Sequence, residues 1–180
     1  MTEGPTGTPP ENMIDVRLGR IIIRDGGEQQ WIYLTERGGE RGFTIVIGTN
    51  EAREIHRVVT RLEPPRPMTH QLAFNAIEAL GATIQGIDIV DLRDNTFYAL
   101  VRVERDGEKF ALDARPSDAL ALGLRAGCEI RVAESVLEQV RSDSGPDAIP
   151  EELPEHFPEG LGELGELGEL EEEDDDDEDE

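Results

Sequence analysis

The sequence contains one cysteine and one lysine among its 180 residues, and both scarcities limit what the chain can do. A single thiol, Cys128, can form neither a disulfide within one chain nor a thiolate metal cage. Apart from Lys109, every basic residue other than histidine is an arginine. Arginine binds carboxylates and phosphates through a planar fork of donors, although genomic base composition produces the same bias.

Long apolar runs are also missing, because no stretch approaches the roughly 20 residues that a membrane-spanning helix needs. The first ten residues, MTEGPTGTPP, hold neither a basic patch nor an apolar core. We therefore expect no signal peptide, no membrane association and a cytoplasmic location.

The formal net charge of −24 is concentrated at one end of the chain. Residues 151–180 hold 17 acids and no Lys or Arg, whereas residues 1–140 hold 22 acids and 16 bases, so that 22 − 16 leaves six excess negative charges. We predict a disordered extension at 1–12, a folded domain at 13–141 and a disordered acidic tail at 142–180. Such a tail repels nucleic acid, and we expect it to compete with nucleic acid, to bind a basic partner or to aid solubility.

Hydrophobic periodicity predicts seven strands and four helices. The strands are expected at 13–18, 31–36, 43–48, 83–92, 96–105, 108–114 and 129–133, and the helices at 50–61, 69–80, 116–126 and 134–141. Asp106-Gly107 predicts a two-residue hairpin turn. In the second helix we expect Thr69 to form the N-cap and an apolar face to turn inward; that face consists of Leu72, Ala76, Ile77 and Leu80.

Three strands followed by a helix occur twice, at 13–61 and at 83–126. The junctions VIGTNEAREI (46–55) and DARPSDALAL (113–122) align, with Glu51 opposite Asp118 and Ala52 opposite Ala119. This pattern predicts an α+β domain built from duplicated three-strand-plus-helix units, with a largely antiparallel sheet and helices packed on it.

The segment DARPSDAL, at the junction of the sixth strand and the third helix, carries the strongest candidate residues. The first amides of a helix lack intrahelical partners and attract anions. We expect Arg115 and Ser117 to bind phosphate there, with Asp113 and Asp118 as catalytic carboxylates. The alternative is structural, because Pro116 suits the first turn, Asp118 complements the helix dipole, and Arg115 could simply pair with Asp113 or Asp118.

Two further residues are candidates on chemical grounds. His70, at the start of the second helix, could transfer a proton near neutral pH, or could simply be a surface residue. Tyr98 could stack on a nucleic-acid base, or could cover a sheet edge. Mg²⁺ or Mn²⁺ would require converging carboxylates, for which the sequence offers Asp113, Asp118, Glu51 and Asp88.

Several segments together resemble the bifunctional nuclease domain family of bacteria and plants. They are RPMTHQLAFNAIEALGA, DNTFYALVRVERDGEKFALDARPSDALALGLRAG and EIRVAESVLEQV, and the similarity covers residues 13–140. The resemblance implies a nuclease that cleaves DNA and RNA phosphodiesters.

Two hypotheses for the function follow from these observations. The first is a nuclease with a divalent metal and with His70 or Asp113 as base. The second is a non-catalytic, self-associating interaction or regulatory domain, in which DARPSDAL serves folding and assembly. Strands 31–36 and 84–92 are apolar on both faces, which indicates that either a second layer or a second subunit of a homo-oligomer covers them.

Overall fold

The computed structural model describes residues 9–24 and 29–143, so residues 1–8 and 144–180, with most of the expected acidic tail, lie outside this part of the chain. Seven strands and four helices are present in it. In chain order these elements are β1 (Met13–Ile22), β2 (Gln29–Glu36), β3 (Gly42–Gly48), α1 (Thr49–Thr60), α2 (Thr69–Ala79), β4 (Thr83–Arg93), β5 (Thr96–Arg105), β6 (Glu108–Ala114), α3 (Pro116–Ala126), β7 (Glu129–Ala133) and α4 (Glu134–Asp143).

All seven strands form one curled sheet in the order β3-β2-β1-β7-β4-β5-β6. Every neighbouring pair is antiparallel except β4 and β7, which run parallel. The two three-strand units therefore occupy equivalent places on either side of β7. This arrangement confirms the predicted α+β class and its largely antiparallel sheet.

Turn chemistry fixes the hairpins of the second unit. Asp106 and Gly107 both have positive φ (53° and 80°), as the predicted two-residue turn requires. Asp94 and Asn95 form the β4–β5 turn in the same way, with φ of 48° and 58°. Asparagine, aspartate and glycine tolerate this left-handed conformation, which other residues adopt at a cost.

The apolar face of the sheet forms the core with α1, α3 and α4 above it. Alternate side chains along β1 and β2, such as Val16, Ile32 and Leu34, are fully or almost fully buried there. Helix α3 packs closely because it carries Gly123, where an added Cβ would lie 2.4 Å from Cγ1 of Ile87. Helix α1 packs in turn against α3.

Helix α2 differs from the expectation. Its N-cap is Met68, and Thr69 is its first helical residue without a side-chain cap. None of its residues is buried, and Leu72 and Leu80 are 61% and 68% exposed, so the predicted inward apolar face is wrong except for Ile77, which packs partly on the core. The helical period was correct, but most of that face meets no other element within the described residues. No helix in the described residues is both long and apolar enough to cross a bilayer.

Candidate active site

Three helices begin close together and bring their first turns to one place. The N-caps of α1 and α3 are Gly48 and Arg115, the two residues that the repeat alignment sets opposite each other. Glu51 and Asp118 consequently hold the same position, three residues after the cap, in their respective helices. His70 is the second residue of α2. The convergence of three N-termini supplies a positive helix-dipole potential at this place.

Four side chains from these helices form one hydrogen-bonded group, which we call the Arg115 cluster: Glu51, His70, Arg115 and Asp118. The Asp118 carboxylate accepts from Nε of Arg115 at 2.7 Å and lies 2.8 Å from Nε2 of His70. A terminal nitrogen of Arg115 donates to Glu51 at 2.7 Å and to Asp118 at 3.0 Å. The cluster thus joins residues that lie 48 and 64 positions apart in the sequence.

The charge on Asp118 is fixed by these contacts. Burial acts to raise the pKa of its carboxyl group, but hydrogen bonds from Arg115 and His70 outweigh that effect and lower the pKa below its ordinary value. An ionised carboxylate can only accept hydrogen bonds, so Nε2 of His70 must carry the proton that it shares with Asp118. The lone pair of the neutral imidazole then lies on Nδ1, which has no hydrogen-bond partner among residues 9–24 and 29–143.

Arg115 is held by its carboxylate partners and still reaches solvent. The two acids raise the pKa of its guanidinium, first Asp118 and then Glu51, so that it is always charged. Its side chain is 67% exposed, and its second terminal nitrogen makes no hydrogen bond within the described residues. The neighbouring amides of Asp118 and Ala119 already donate to the carbonyl oxygen of Arg115, at 3.1 and 3.0 Å. An anion at this place would therefore be bound mainly by the guanidinium.

A groove of about 770 Å³ opens beside the cluster. One wall is strand β3, and the opposite wall combines the β4–β5 turn with the start of α3. Its surface is mixed, because Asn95, Thr96 and Ser117 offer polar groups while Val46 and Phe97 offer apolar area. Arg115 also lines this groove, so the charged cluster and the apolar cleft share an opening.

The other predicted site residues lie elsewhere or are less accessible. Ser117 lines the groove but is only 6% exposed. Asp113 pairs with Leu100 across the β5–β6 ladder, on the face opposite Leu112 and away from α3, and it makes no ion pair in the described part. The ring of Tyr98 is covered by Arg93, whose guanidinium carbon lies 5.3 Å from the ring centroid. The structure therefore brings together His70, Arg115 and Asp118 but not Asp113 or Tyr98.

The four acids expected to offer metal ligands do not converge on one point. Glu51 and Asp118 bind Arg115, whereas Asp88 is fully buried in the sheet and accepts from Arg131 at 2.8 and 3.0 Å. Within residues 9–24 and 29–143 no group of three or more His, Cys, Asp or Glu side chains is placed to hold a metal ion.

The sequence predicts neither the contact of Glu51 with Arg115 nor the groove. It suggests Glu51 only as a metal ligand, yet the alignment of Glu51 with Asp118 is the signal that both acids belong to one place. The groove had no sequence signal, since β3 and the β4–β5 turn meet only through the curl of the sheet.

The bifunctional nuclease domain family matches residues 32–144, and the chain belongs to this family. Two relatives are the uncharacterized proteins Rv1829 and MT1877 of Mycobacterium tuberculosis, from strains H37Rv and CDC 1551. Each is 40% identical to this chain over 127 residues, which covers 71% of this chain and 76% of the relative.

Proposed function

We propose that the chain hydrolyses phosphodiester bonds of DNA and RNA at the Arg115 cluster. The observation that carries this proposal is the continuous bond path from Glu51 through Arg115 and Asp118 to His70. It sets an oriented imidazole beside an exposed guanidinium, and the two supply a proton acceptor and a phosphate ligand. Membership of the bifunctional nuclease domain family supports the same chemistry.

His70 is the general base of the proposed reaction. Asp118 fixes the tautomer that leaves Nδ1 unprotonated, and it stabilises the imidazolium that forms when Nδ1 accepts a proton from water. The oxygen of that water forms a bond to phosphorus, the bond from phosphorus to the leaving sugar oxygen breaks, and the leaving oxygen takes a proton from solvent. General-base catalysis of this kind contributes about 10²- to 10⁴-fold to a rate.

Arg115 binds the phosphate and neutralises the charge that develops on it. Glu51 and Asp118 hold the guanidinium on two sides, which orients its exposed nitrogen and reduces the entropy lost on binding. The adjoining groove is the proposed site for the sugar and base next to the cut phosphate, because its apolar wall includes Val46 and Phe97. The single guanidinium predicts weak, salt-sensitive binding.

The test compares two pairs of matched substitutions on single-stranded DNA and RNA of mixed sequence. His70→Ala is expected to lower the cleavage rate by about 10²-fold or more, whereas His56→Ala, on the exposed face of α1, is expected to leave it unchanged. Asp118→Asn is expected to lower the rate strongly, and Asp113→Asn is expected to leave it near that of the wild type. Cleavage that survives His70→Ala would show that the activity comes from another site or from a contaminant.

Each assay is run with Mg²⁺, with Mn²⁺ and with EDTA, since a divalent metal remains part of the hypothesis for this family member. The requirement for His70 is expected in every condition that supports cleavage. A rate that depends on metal but not on His70 or Asp118 would reject the proposed base and point to different ligands.

A further inference from the structure

Strand β6 forms a free edge of the sheet. Its one extensive contact in the described part of the chain is with β5, and no helix of that part packs extensively against it. The other edge, β3, approaches β5 and α4, because Phe43 stacks on Phe97 with centroids 5.6 Å apart and α4 packs on β3. Proteins usually protect an open edge, because its unpaired backbone groups accept another strand.

The free edge is apolar on one of its two faces. Phe110 and Leu112 pair across the ladder with Val103 and Val101, which are buried in the core. Directly opposite residues share a face of the sheet, so the core face continues to β6. There it ends in solvent, with Phe110 and Leu112 each 45% exposed.

The other face of the same strand carries two opposite charges. Lys109 and Asp113 lie two residues on either side of Ala111, and both are exposed. Neither side chain forms an ion pair or hydrogen bond with another described residue. The only lysine of the sequence and a carboxylate thus stand symmetrically about the centre of the edge strand.

We propose that β6 pairs with β6 of a second copy of this chain, antiparallel and centred on Ala111. A two-fold axis that passes midway between the two copies of Ala111 sets Phe110 of one protomer opposite Leu112 of its partner. The same axis sets Lys109 opposite Asp113 twice, once on each side of the centre. The pairing extends two seven-stranded sheets into one and covers the apolar end of each core face.

The register follows from symmetry and charge. Residues that lie directly opposite each other in an antiparallel pair share a face of the sheet. A two-fold axis perpendicular to the sheet must therefore pass between the two copies of one residue, because any other position would pair residues from opposite faces. Centring on Phe110 would set Lys109 opposite Ala111, and centring on Leu112 would set Asp113 opposite Ala111. Only the Ala111 centre pairs all seven residues of β6 and joins the two charges.

The pairing also assigns a role to Asp113, which lies outside the Arg115 cluster. Its carboxylate would bind Lys109 of the second copy, although Asp113 lies only two residues before Arg115 in the chain. The inference does not rest on the nuclease proposal, because it concerns a different edge and is measured without substrate.

The first test measures the mass of the full chain by sedimentation across a range of concentrations. Wild type is expected to form a dimer. Lys109→Asp and Asp113→Lys each set like charges opposite one another at two places, and each is expected to weaken the dimer by about tenfold or more. The double exchange, Lys109→Asp with Asp113→Lys, restores opposite charges and is expected to regain most of the affinity.

The matched control for Lys109→Asp is Arg53→Asp on the exposed face of α1. It also replaces a positive charge by a negative one, and it is expected to leave the dimer intact. Circular dichroism confirms that each variant is folded. A wild-type chain that stays monomeric at the highest soluble concentration would overturn the proposal.

The second test reads the register by disulfide formation in a Cys128→Ser background. Ala111→Cys is expected to link two chains under mild oxidation, since directly opposite Cα atoms lie about 4.5–5.5 Å apart in an antiparallel pair, within disulfide reach. Lys109→Cys would face Asp113 and is expected to remain unlinked. If the dimer tolerates both single charge changes and Ala111→Cys stays unlinked, another surface forms the interface. The exposed side chains of Leu72 in α2 and of Leu80 directly after it are one such surface.

Discussion

Glu51 and Asp118 occupy the same position in two different helices, and their carboxylates hold one guanidinium, that of Arg115, each at 2.7 Å. The alignment of the two repeats had set these acids opposite each other in the sequence. In the structure α1 packs on α3, so the first turns of the two equivalent helices meet. A residue that belongs to one repeat, Arg115, thus binds the equivalent acid of both.

The lowered pKa of Asp118 predicts a pH-dependent contribution to stability. Asp118→Asn is expected to reduce the free energy of unfolding by about 1 kcal/mol at pH 7, since it weakens charge-assisted hydrogen bonds to Arg115 and His70. The folded-state pKa lies below the unfolded value of about 3.9, so the contribution is complete above that value and is lost as the pH falls through the folded pKa.

Urea unfolding of wild type and Asp118→Asn at neutral and acidic pH measures this effect. The difference between the two proteins is expected to shrink in acid. Asp15→Asn, at an exposed position of β1, serves as the control and is expected to change stability by less than about 0.5 kcal/mol. A difference that stays constant through the acid range would contradict the assigned pKa direction.

Glu54 links α1 and α3, two of the three helices that carry the cluster. It is 3% exposed and accepts from Arg57 on α1 at 2.6 Å and from Arg125 on α3 at 3.1 Å. Glu54→Ala leaves these guanidinium groups without their carboxylate and is expected to destabilise the fold by about 3 kcal/mol. Thermal unfolding checks this, with Glu78→Ala on exposed α2 as the control; equal losses in the two variants would refute the linking role.

Gly123 permits the close approach of α3 to β4. Gly123→Ala gains up to about 1 kcal/mol of helix propensity, but its Cβ would meet Ile87 Cγ1 at 2.4 Å. Overpacking in a core costs about 1–3 kcal/mol, so a net loss of stability is expected. Chemical denaturation measures the sign, and a more stable variant would show that α3 shifts without cost.

Gly127 is required by its backbone conformation and not by space. It ends α3 with a φ of 65°, and an added Cβ would meet no atom within 4 Å. Gly127→Ala is expected to lose about 1 kcal/mol, whereas Gly127→Asn is expected to lose less, because asparagine tolerates this conformation. Equal unfolding midpoints for the two variants would contradict this cause.

Local patterns sufficed to predict the elements of this chain. Helix α3 begins and ends where Pro116 and Gly127 predict, and the Asp106-Gly107 turn forms as expected. Both depend on the preferred backbone angles of a few adjacent residues, which act regardless of what surrounds them. Apolar periodicity likewise identified α2 as a helix.

Periodicity did not show which surface α2 would meet. Leu72 and Leu80 repeat at helical spacing, but they remain exposed because α2 lies at the margin of the helix layer. Apolar residues at helical spacing indicate that one face of a helix is apolar. Only the packing of other elements determines whether that face is covered.

The sequence by itself determined the strands, the helices, their turns and the duplicated order, since these follow from interactions between residues close together in the chain. Only the tertiary structure decided that His70 and Glu51 meet at Arg115 and Asp118 while Asp113 points away. Those contacts span 48 and 64 residues and depend on how the sheet curls and how α1 and α2 pack on α3, which no local preference specifies.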